Sequence, residues 1–191
     1  MRLFPHFSFL DFSNSYLIGP DQGGGAVLID PGIFDAGLLR LIEDNNYYVR
    51  YVLVTHAHGS HTKGLTTLLK IYDVQVFAFD PLIQNLATVQ IREGNRQRIG
   101  EFLFEIIETP GHSDDSLCFK LDQFLFTGDT LTAGSISKNP GYAKDTLIST
   151  IKKKLLTLDD DTLIFPGHGP PSRIAIEREF NPWLQEKRME Y

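Results

Sequence analysis

The 191-residue sequence has the length of one domain and an ordinary globular composition, with 42% hydrophobic and 22% charged residues. Its net charge of −6 argues against nonspecific binding to nucleic acid or anionic membranes, because both need a basic surface. No apolar run reaches transmembrane length, and the N-terminal residues lack a signal-peptide pattern, so we expect a cytoplasmic protein. The single cysteine, Cys118, excludes an internal disulfide, and we expect a buried structural thiol.

In the first half of the chain, apolar runs and turn residues predict alternating strands and helices. Strands are predicted at residues 7–12, 15–18, 26–29, 51–55 and 75–79. Helices are predicted at residues 34–45 and 62–72. Asp80 and Pro81 have the types expected at the N-cap and first turn, so they predict the start of a further helix. The glycines at 23–25 predict a hairpin turn, and the polar residues 91–100 predict a solvated loop.

The second half of the chain also contains predicted strands and helices. Strands are predicted at residues 102–107, 116–121, 124–127 and 162–165. Helices are predicted at residues 144–158, with lysines 152–154 on a solvated face, and at 173–190, where Trp183 is expected to pack. The order predicts an α/β protein in which two sheets pack together with helices outside. We expect a single domain over residues 1–191, with 171–191 as a C-terminal helical tail.

The histidines are concentrated at the ends of predicted strands. Five of the six follow such strands in loops: His56, His58, His61, His112 and His168. Only His6 stands apart. Neutral imidazole is the commonest transition-metal ligand, and loops that follow strands gather functional residues on one edge of a sheet. The tight spacing within residues 55–61 therefore predicts one metal position and the beginnings of a second.

These loops resemble those of the metallo-β-lactamase superfamily, whose members are metal-dependent hydrolases and their relatives. The matching segments are, in order, residues 30–32 (DPG), 55–61 (THAHGSH), 109–113 (TPGHS), 127–130 (TGDT) and 166–169 (PGHG). The sequence is most similar to the small glyoxalase II-like (hydroxyacylglutathione hydrolase) branch, because 166–170 is followed by Glu177 and the segment 181–184 (NPWL). The resemblance implies a four-layer αββα sandwich of two mixed sheets with helices outside.

The resemblance also implies a set of metal ligands. The first ion would be held by His56, His58 and His112. The second would be held by His61, His168 and the residue at position 60, with Asp129 bridging the two ions. His56, His58 and Asp129 would form the catalytic centre. Zinc is the expected metal, with one or two ions per chain, and iron or manganese is an alternative.

Position 60 departs from the family, which has aspartate where this chain has Ser60. The substitution removes one negative charge beside the second ion, so we expect that site to be weak or empty. Three histidines and a water still make a complete catalytic zinc site. Residues 135–139 (SISKN) lack the arginine and aspartate that glyoxalase-like members carry there, and we expect no glutathione-binding helical domain like that of the longer enzymes. Both departures argue against glutathione specificity.

Hydrolysis of small acyl-thioesters by metal-bound hydroxide is the function that these residues favour. A thiolate leaves with little protonation, whereas an amide nitrogen needs a general acid, so the loss of the carboxylate at position 60 favours thioesters over lactams. A mononuclear non-haem iron enzyme like the persulfide dioxygenases is one alternative; it would use His56, His112 and Asp129 and needs no ligand at position 60. A degenerate metal-binding fold without catalysis is the other, and Ser60 is its only support.

Overall fold

The computed structural model describes residues 1–94, 96–137 and 143–185. Strands of the first half are β1 (Arg2–Ser8), β2 (Ser13–Gly19), β3 (Gly24–Ile29), β4 (Tyr47–Leu53), β5 (Gln75–Ala78), β6 (Leu82–Ile83), β7 (Leu86–Ala87) and β8 (Val89–Gln90). Strands of the second half are β9 (Gln97–Ile99), β10 (Phe102–Glu108), β11 (Leu117–Leu121), β12 (Phe124–Gly128), β13 (Leu131–Thr132), β14 (Ser135–Ile136), β15 (Leu163–Pro166) and β16 (Ser172–Arg173). Helices are α1 (Ala36–Asp44), α2 (Gly59–Thr62), α3 (Leu65–Ile71), α4 (Lys144–Thr150) and α5 (Ile174–Phe180). A π-helical turn, Ile151–Leu155, continues α4.

Two six-stranded mixed sheets organise these elements. The first has the order β1-β2-β3-β4-β5-β8, and the second has the order β16-β15-β12-β11-β10-β9. Antiparallel hairpins start each sheet, and parallel pairs follow: β3 with β4 and β4 with β5 in the first sheet, and β12 with β15 in the second. Parallel strands present their carboxyl ends at one edge, so the loops after them can meet there.

Alternating side chains along each strand create the layers. On β2, Tyr16 and Ile18 join the core between the sheets, while Leu17 joins the core under the outer helices. Helices α1 and α3 cover the outer face of the first sheet, and α4 and α5 cover that of the second. Successive side chains of a strand point to opposite faces of the sheet, and here both faces are buried. The strands are therefore continuous apolar runs in the sequence. The four layers are the αββα sandwich that the sequence predicts.

Two predicted elements are wrong. The helix expected from Asp80 is instead the β6–β7 hairpin, because Gln84 and Asn85 adopt positive φ angles of 50° and 65°, as a tight hairpin turn requires. The strand expected at 7–12 is wrong because β1 spans Arg2–Ser8 and ends where Ser8 pairs with Ser13, so residues 9–12 form a loop.

Smaller differences concern element ends. The predicted loop 91–100 contains strand β9, and the predicted helix 173–190 is helical over Ile174–Phe180, with residues 186–191 outside the described part of the chain. Cys118 is fully buried, as expected. Within the described residues, no helix is long and apolar enough to cross a membrane.

Candidate metal centre

The six predicted ligands lie in four loops at one edge of the sandwich. The loops follow β4, β10, β12 and β15, and they carry His56, His58, His61, His112, Asp129 and His168. A backbone hydrogen bond joins the two sheets here, because Leu117 N donates to the carbonyl oxygen of Thr55 at 2.8 Å. The structure therefore brings together residues that are up to 112 positions apart in the sequence, from 56 to 168.

Three imidazoles turn their nitrogen atoms toward one point. The distance from His56 Nε2 to His58 Nδ1 is 3.0 Å, and His112 Nε2 lies 3.1 Å and 3.0 Å from those two atoms. Tetrahedral zinc with bonds of about 2.0–2.1 Å would set its nitrogen ligands roughly 3.3 Å apart, so this spacing is within a few tenths of an ångström of that needed. These three residues fit a divalent metal ion.

Asp129 lies between this group and a second one. Its Oδ2 is 4.0 Å from His56 Nε2 and 3.8 Å from His112 Nε2. Its Oδ1 accepts a hydrogen bond from His168 Nδ1 at 2.6 Å and lies 3.4 Å from His61 Nε2. One carboxylate oxygen thus faces each group, which is the arrangement that a bridging ligand needs.

The buried ring of His61 supplies the clearest test for a second ion. Its Nδ1 donates to Asp30 Oδ2 at 2.9 Å, whereas its Nε2 is buried and has no hydrogen-bond partner among the described residues. An unpaired buried polar atom is costly and uncommon, and a metal ligand is one physical explanation for it. The ligand atoms of His56, His61 and Asp129 lie within 4.8 Å of one another, so they fit a second cation.

The electrostatics differ between the two groups. Burial lowers the pKa of His56 to about 2, and burial also lowers the pKa of His112, so both rings are neutral and can bind metal at pH 7. Burial alone would lower the pKa of His61, but the carboxylates of Asp30 and Asp129 outweigh it and raise that pKa to about 10. Burial would raise the pKa of Asp129, but His168 and His61 hold it well below its usual range.

Ser60 lies on α2 beside His61 and is half-buried. Its backbone packs closely under the site, because a Cβ on Gly32 would come within 2.0 Å of the Ser60 carbonyl oxygen. A Cβ on Gly167 would similarly lie 2.3 Å from His61 Cε1. Both glycines let the backbone approach closely, which explains why they belong to the Asp-Pro-Gly and Pro-Gly-His-Gly motifs.

Three residues to which the sequence analysis gave no role at the site support the ligands. Asp30 accepts from His61 and from the amide and hydroxyl of Thr55 at 2.8 and 2.7 Å. Ser137 Oγ lies 2.5 Å from His112 Nδ1. The carboxylate of Asp115 accepts from Ala57 N at 2.7 Å and holds the histidine loop. Asp30 had a usable signal, since a carboxylate follows an apolar strand there, whereas Ser137 had none.

A fourth such residue, Asn14, holds the loop of His168. The amide nitrogen of its side chain donates to the carbonyl oxygens of Pro166 at 2.9 Å and Gly169 at 2.8 Å. Its backbone N donates to Gly167 O at 2.7 Å. The hydroxyl of Tyr16 adds a bond of 2.6 Å to Pro166 O. Strand β2 therefore fixes the position of a loop that belongs to the other sheet.

An αββα sandwich with histidine-rich loops at one edge defines a class of metal-dependent enzymes. A family model described as the metallo-beta-lactamase superfamily matches residues 9–88 and 79–168, and the chain belongs to this superfamily. A relative, hydroxyacylglutathione hydrolase GloC of Haemophilus influenzae, is 31% identical over 199 residues, which cover 91% of this chain and 93% of that protein.

Solved structures agree. ETHE1 from Myxococcus xanthus is 29% identical with a TM-score of 0.84, over 95% of this chain and 84% of that one. TTHA1623 in a di-iron-bound form is 29% identical with a TM-score of 0.82, over 95% and 100% of the two chains. The predicted fold and the glyoxalase II-like resemblance are confirmed, and the chain is a member of a metallo-hydrolase superfamily with a histidine-rich candidate metal site.

Proposed function

We propose that this protein is a metal-dependent hydrolase of small acyl-thioesters. The observation that carries the proposal is the convergence of the ring nitrogens of His56, His58 and His112 at 3.0–3.1 Å, with Asp129 beside them. The GloC relative, similar over nearly its whole length, supports a thioester substrate. We assign zinc to this first site. We assign the weaker second site to His61 and Asp129, together with His168, which the family resemblance implies and whose Nδ1 is hydrogen-bonded to Asp129 Oδ1.

A zinc ion held by these residues would lower the pKa of water from about 15.7 toward about 7 and polarise the substrate carbonyl. The protein supplies orientation. Asp129 Oδ2 takes no part in the hydrogen bond to His168. It can therefore accept a hydrogen bond from the attacking water and orient the lone pair of that water toward the substrate. Ser137 and Asp30 hold the rings of His112 and His61 in place. Such outer partners fix the ligand geometry and the tautomer of each ring.

The leaving group decides between substrate classes. A thiol has a pKa of about 8.5, so the thiolate departs with little protonation, whereas an amide nitrogen needs a proton donor. Position 60, where the superfamily has a carboxylate, is Ser60 here. Its hydroxyl is a much weaker proton donor than a carboxylic acid. This favours thioester cleavage over the opening of a lactam ring.

The test is an assay of released thiol with zinc-loaded protein and acyl thioesters of N-acetylcysteamine. We expect turnover, and we expect His56→Ala to lose turnover together with bound metal. His6→Ala is the matched control, because it removes the one histidine outside the site, on β1. Protein that cleaves no thioester but opens a β-lactam efficiently would contradict the proposal.

A mononuclear iron enzyme of the persulfide dioxygenase type is the second candidate. His56, His112 and Asp129 form a cluster of two histidines and one carboxylate, with nitrogen-to-oxygen distances of 4.0 and 3.8 Å, and such sets bind non-haem iron. The likeness to a di-iron-bound structure also favours iron. Iron in protein purified without oxygen, together with oxygen uptake on a persulfide, would establish this reading; zinc without uptake would exclude it.

A further inference from the structure

A large cavity opens above the candidate metal centre. Its volume is about 810 Å³, within the range of small-molecule sites, and the side chains of His58, His112, Asp129 and His168 form its floor. One wall is formed by Phe12, and others by Ala133, Ile136 and Pro170. The reacting end of the cavity is therefore polar, while much of the wall beside it is apolar.

Phe12 belongs to an exposed apolar loop, residues 9–12, which we call the aromatic loop. Phe9, Leu10 and Phe12 are 80%, 77% and 67% exposed, and Phe7 at the end of β1 contacts the rings of Phe9 and Phe12, with centroids 5.1 and 6.4 Å apart. Exposed apolar clusters of this kind mark binding surfaces. Phe12 is the member of this cluster that lines the cavity, so the ring of Phe7 that contacts it can extend the apolar wall outward.

The aromatic loop is fixed relative to the histidine loop. The ammonium group of Lys63, two residues after His61, lies 2.9 Å from the Asp11 carboxylate. Phe12 has a φ angle of 51°, which is a left-handed backbone conformation. This conformation is rare for a bulky residue, and strained backbone of this kind often occurs at functional sites. These two features constrain the backbone that carries Phe12, whose side chain lines the cavity.

The charges that line the cavity further restrict the class of ligand that it can bind. Among the described residues that line the cavity, the acidic side chains are Asp11 and Asp129, and there is no lysine or arginine. The chain as a whole carries a net charge of −6. A substrate with carboxylates or phosphates would find no lysine or arginine partner among these described lining residues, whereas an uncharged apolar group would find a matching surface.

We propose, building on the proposed thioesterase function, that Phe12 is a specificity-determining residue. It selects thioesters whose acyl group is long and apolar and whose thiol half is uncharged. The acyl chain would lie between Phe12 and the wall of Ile136 and Pro170, with its carbonyl carbon at the histidine floor.

The experiment compares wild type, Phe12→Ala and Phe180→Ala. Phe180 is the matched control because it is also 67% exposed but lies on α5, away from the cavity lining. The substrates are acetyl- and octanoyl-N-acetylcysteamine and octanoyl-glutathione. Burial of several methylenes should raise kcat/KM for octanoyl over acetyl at least ~10-fold in wild type and in Phe180→Ala. Phe12→Ala should lose most of that ratio, mainly through KM, and octanoyl-glutathione should be no better than the neutral octanoyl thioester.

Equal kcat/KM for acetyl and octanoyl substrates in wild type would overturn the proposal, and so would a preference for the glutathione thioester. In another outcome, Phe12→Ala keeps the octanoyl-to-acetyl ratio of kcat/KM but changes from dimer to monomer on gel filtration. That result would overturn the proposal and identify the aromatic loop as an interface between two copies. The inert thioethers S-octyl- and S-ethyl-N-acetylcysteamine separate this proposal from the thioesterase one. If no thioester is cleaved, calorimetric binding of the octyl compound that depends on Phe12 still supports the apolar site, and its absence overturns it.

Discussion

The carboxylate of Asp30 accepts a hydrogen bond from His61 Nδ1 at 2.9 Å, and both side chains are buried. The bond holds His61 Nδ1 against Asp30 and leaves Nε2 facing Asp129. Asp30 also has a positive φ angle of 51°, and its carbonyl oxygen accepts from Ser15 Oγ at 2.6 Å. The residue is therefore held rigidly, and its carboxylate orients a ring that the sequence alone marked only as a ligand.

Replacement of this carboxylate is the first prediction. Asp30→Asn should weaken metal binding at the second site roughly 10- to 100-fold, because an outer-shell carboxylate orients its histidine and raises its basicity. Competitive titration with a chromogenic chelator measures the change. Asp35→Asn is the matched control, since Asp35 also lies beside a histidine, 3.2 Å from His6, but outside the site. Equal metal affinity in Asp30→Asn and wild type would show that His61 needs no such support.

The serine at position 60 gives the second prediction. Ser60→Asp adds a carboxylate next to His61, so metal content should rise from about one to about two ions per chain, because the second ion gains a charged ligand. Elemental analysis of protein purified under identical conditions measures the content. Ser149→Asp, on α4, adds the same charge elsewhere and should leave it unchanged. Two ions per chain already in wild type would refute the argument about Ser60.

Asn14 provides the third prediction. Asn14→Ala removes two side-chain hydrogen bonds to the His168 loop, one partly buried and one exposed, which should cost about 1–2 kcal/mol of unfolding free energy. In Ser60→Asp protein, whose second site should be filled, Asn14→Ala should also lower metal content from about two ions toward about one, because His168 loses its support. Asn45→Ala removes a bond to Leu41 O at the end of α1 and should destabilise without loss of metal. Thermal unfolding and elemental analysis together separate the effects, and two ions per chain in Ser60→Asp protein that also carries Asn14→Ala would contradict the prediction.

Cys118 gives a prediction for pH. Burial raises the pKa of its thiol from 9.0 to about 12, so between pH 9 and 12 the unfolded chain ionises there while the folded chain does not. The unfolded state then binds fewer protons, and this residue should lower stability by about 1.4 kcal/mol per pH unit in that window, with no effect below it.

The measurement is urea unfolding at pH 8 and pH 10. Cys118→Ala should lose stability at pH 8 from the cavity it leaves, but the gap to wild type should narrow by roughly 1 kcal/mol at pH 10. Val52→Ala, at another fully buried position without a titrating group, should keep a constant gap. A constant gap for Cys118→Ala as well would mean that the thiol ionises as easily in the folded protein as in the unfolded one.

Local patterns predicted most of the framework. The run before His56 is apolar on both faces because β4 is covered by a sheet core on one side and helices on the other, so its strand and the loop after it were readable. The hairpin after Asp80 could not be predicted in this way. Gln84 is not a residue type that indicates a positive φ angle, and Asp80 and Pro81 are typical of the start of a helix. The role of Asp30 depends on a contact 31 residues away, which spacing does not reveal.

The ligand loops come from both sheets, and the two sheets meet at this edge through core packing and the bond between Leu117 and Thr55. A bound ion would therefore cross-link the halves of the sandwich. The complete ligand set exists only after β15 has formed and docked, because His168 follows that strand. Occupation of the second site is then a late event in assembly, whereas the three-histidine set of the first site, which ends with His112, does not wait for β15.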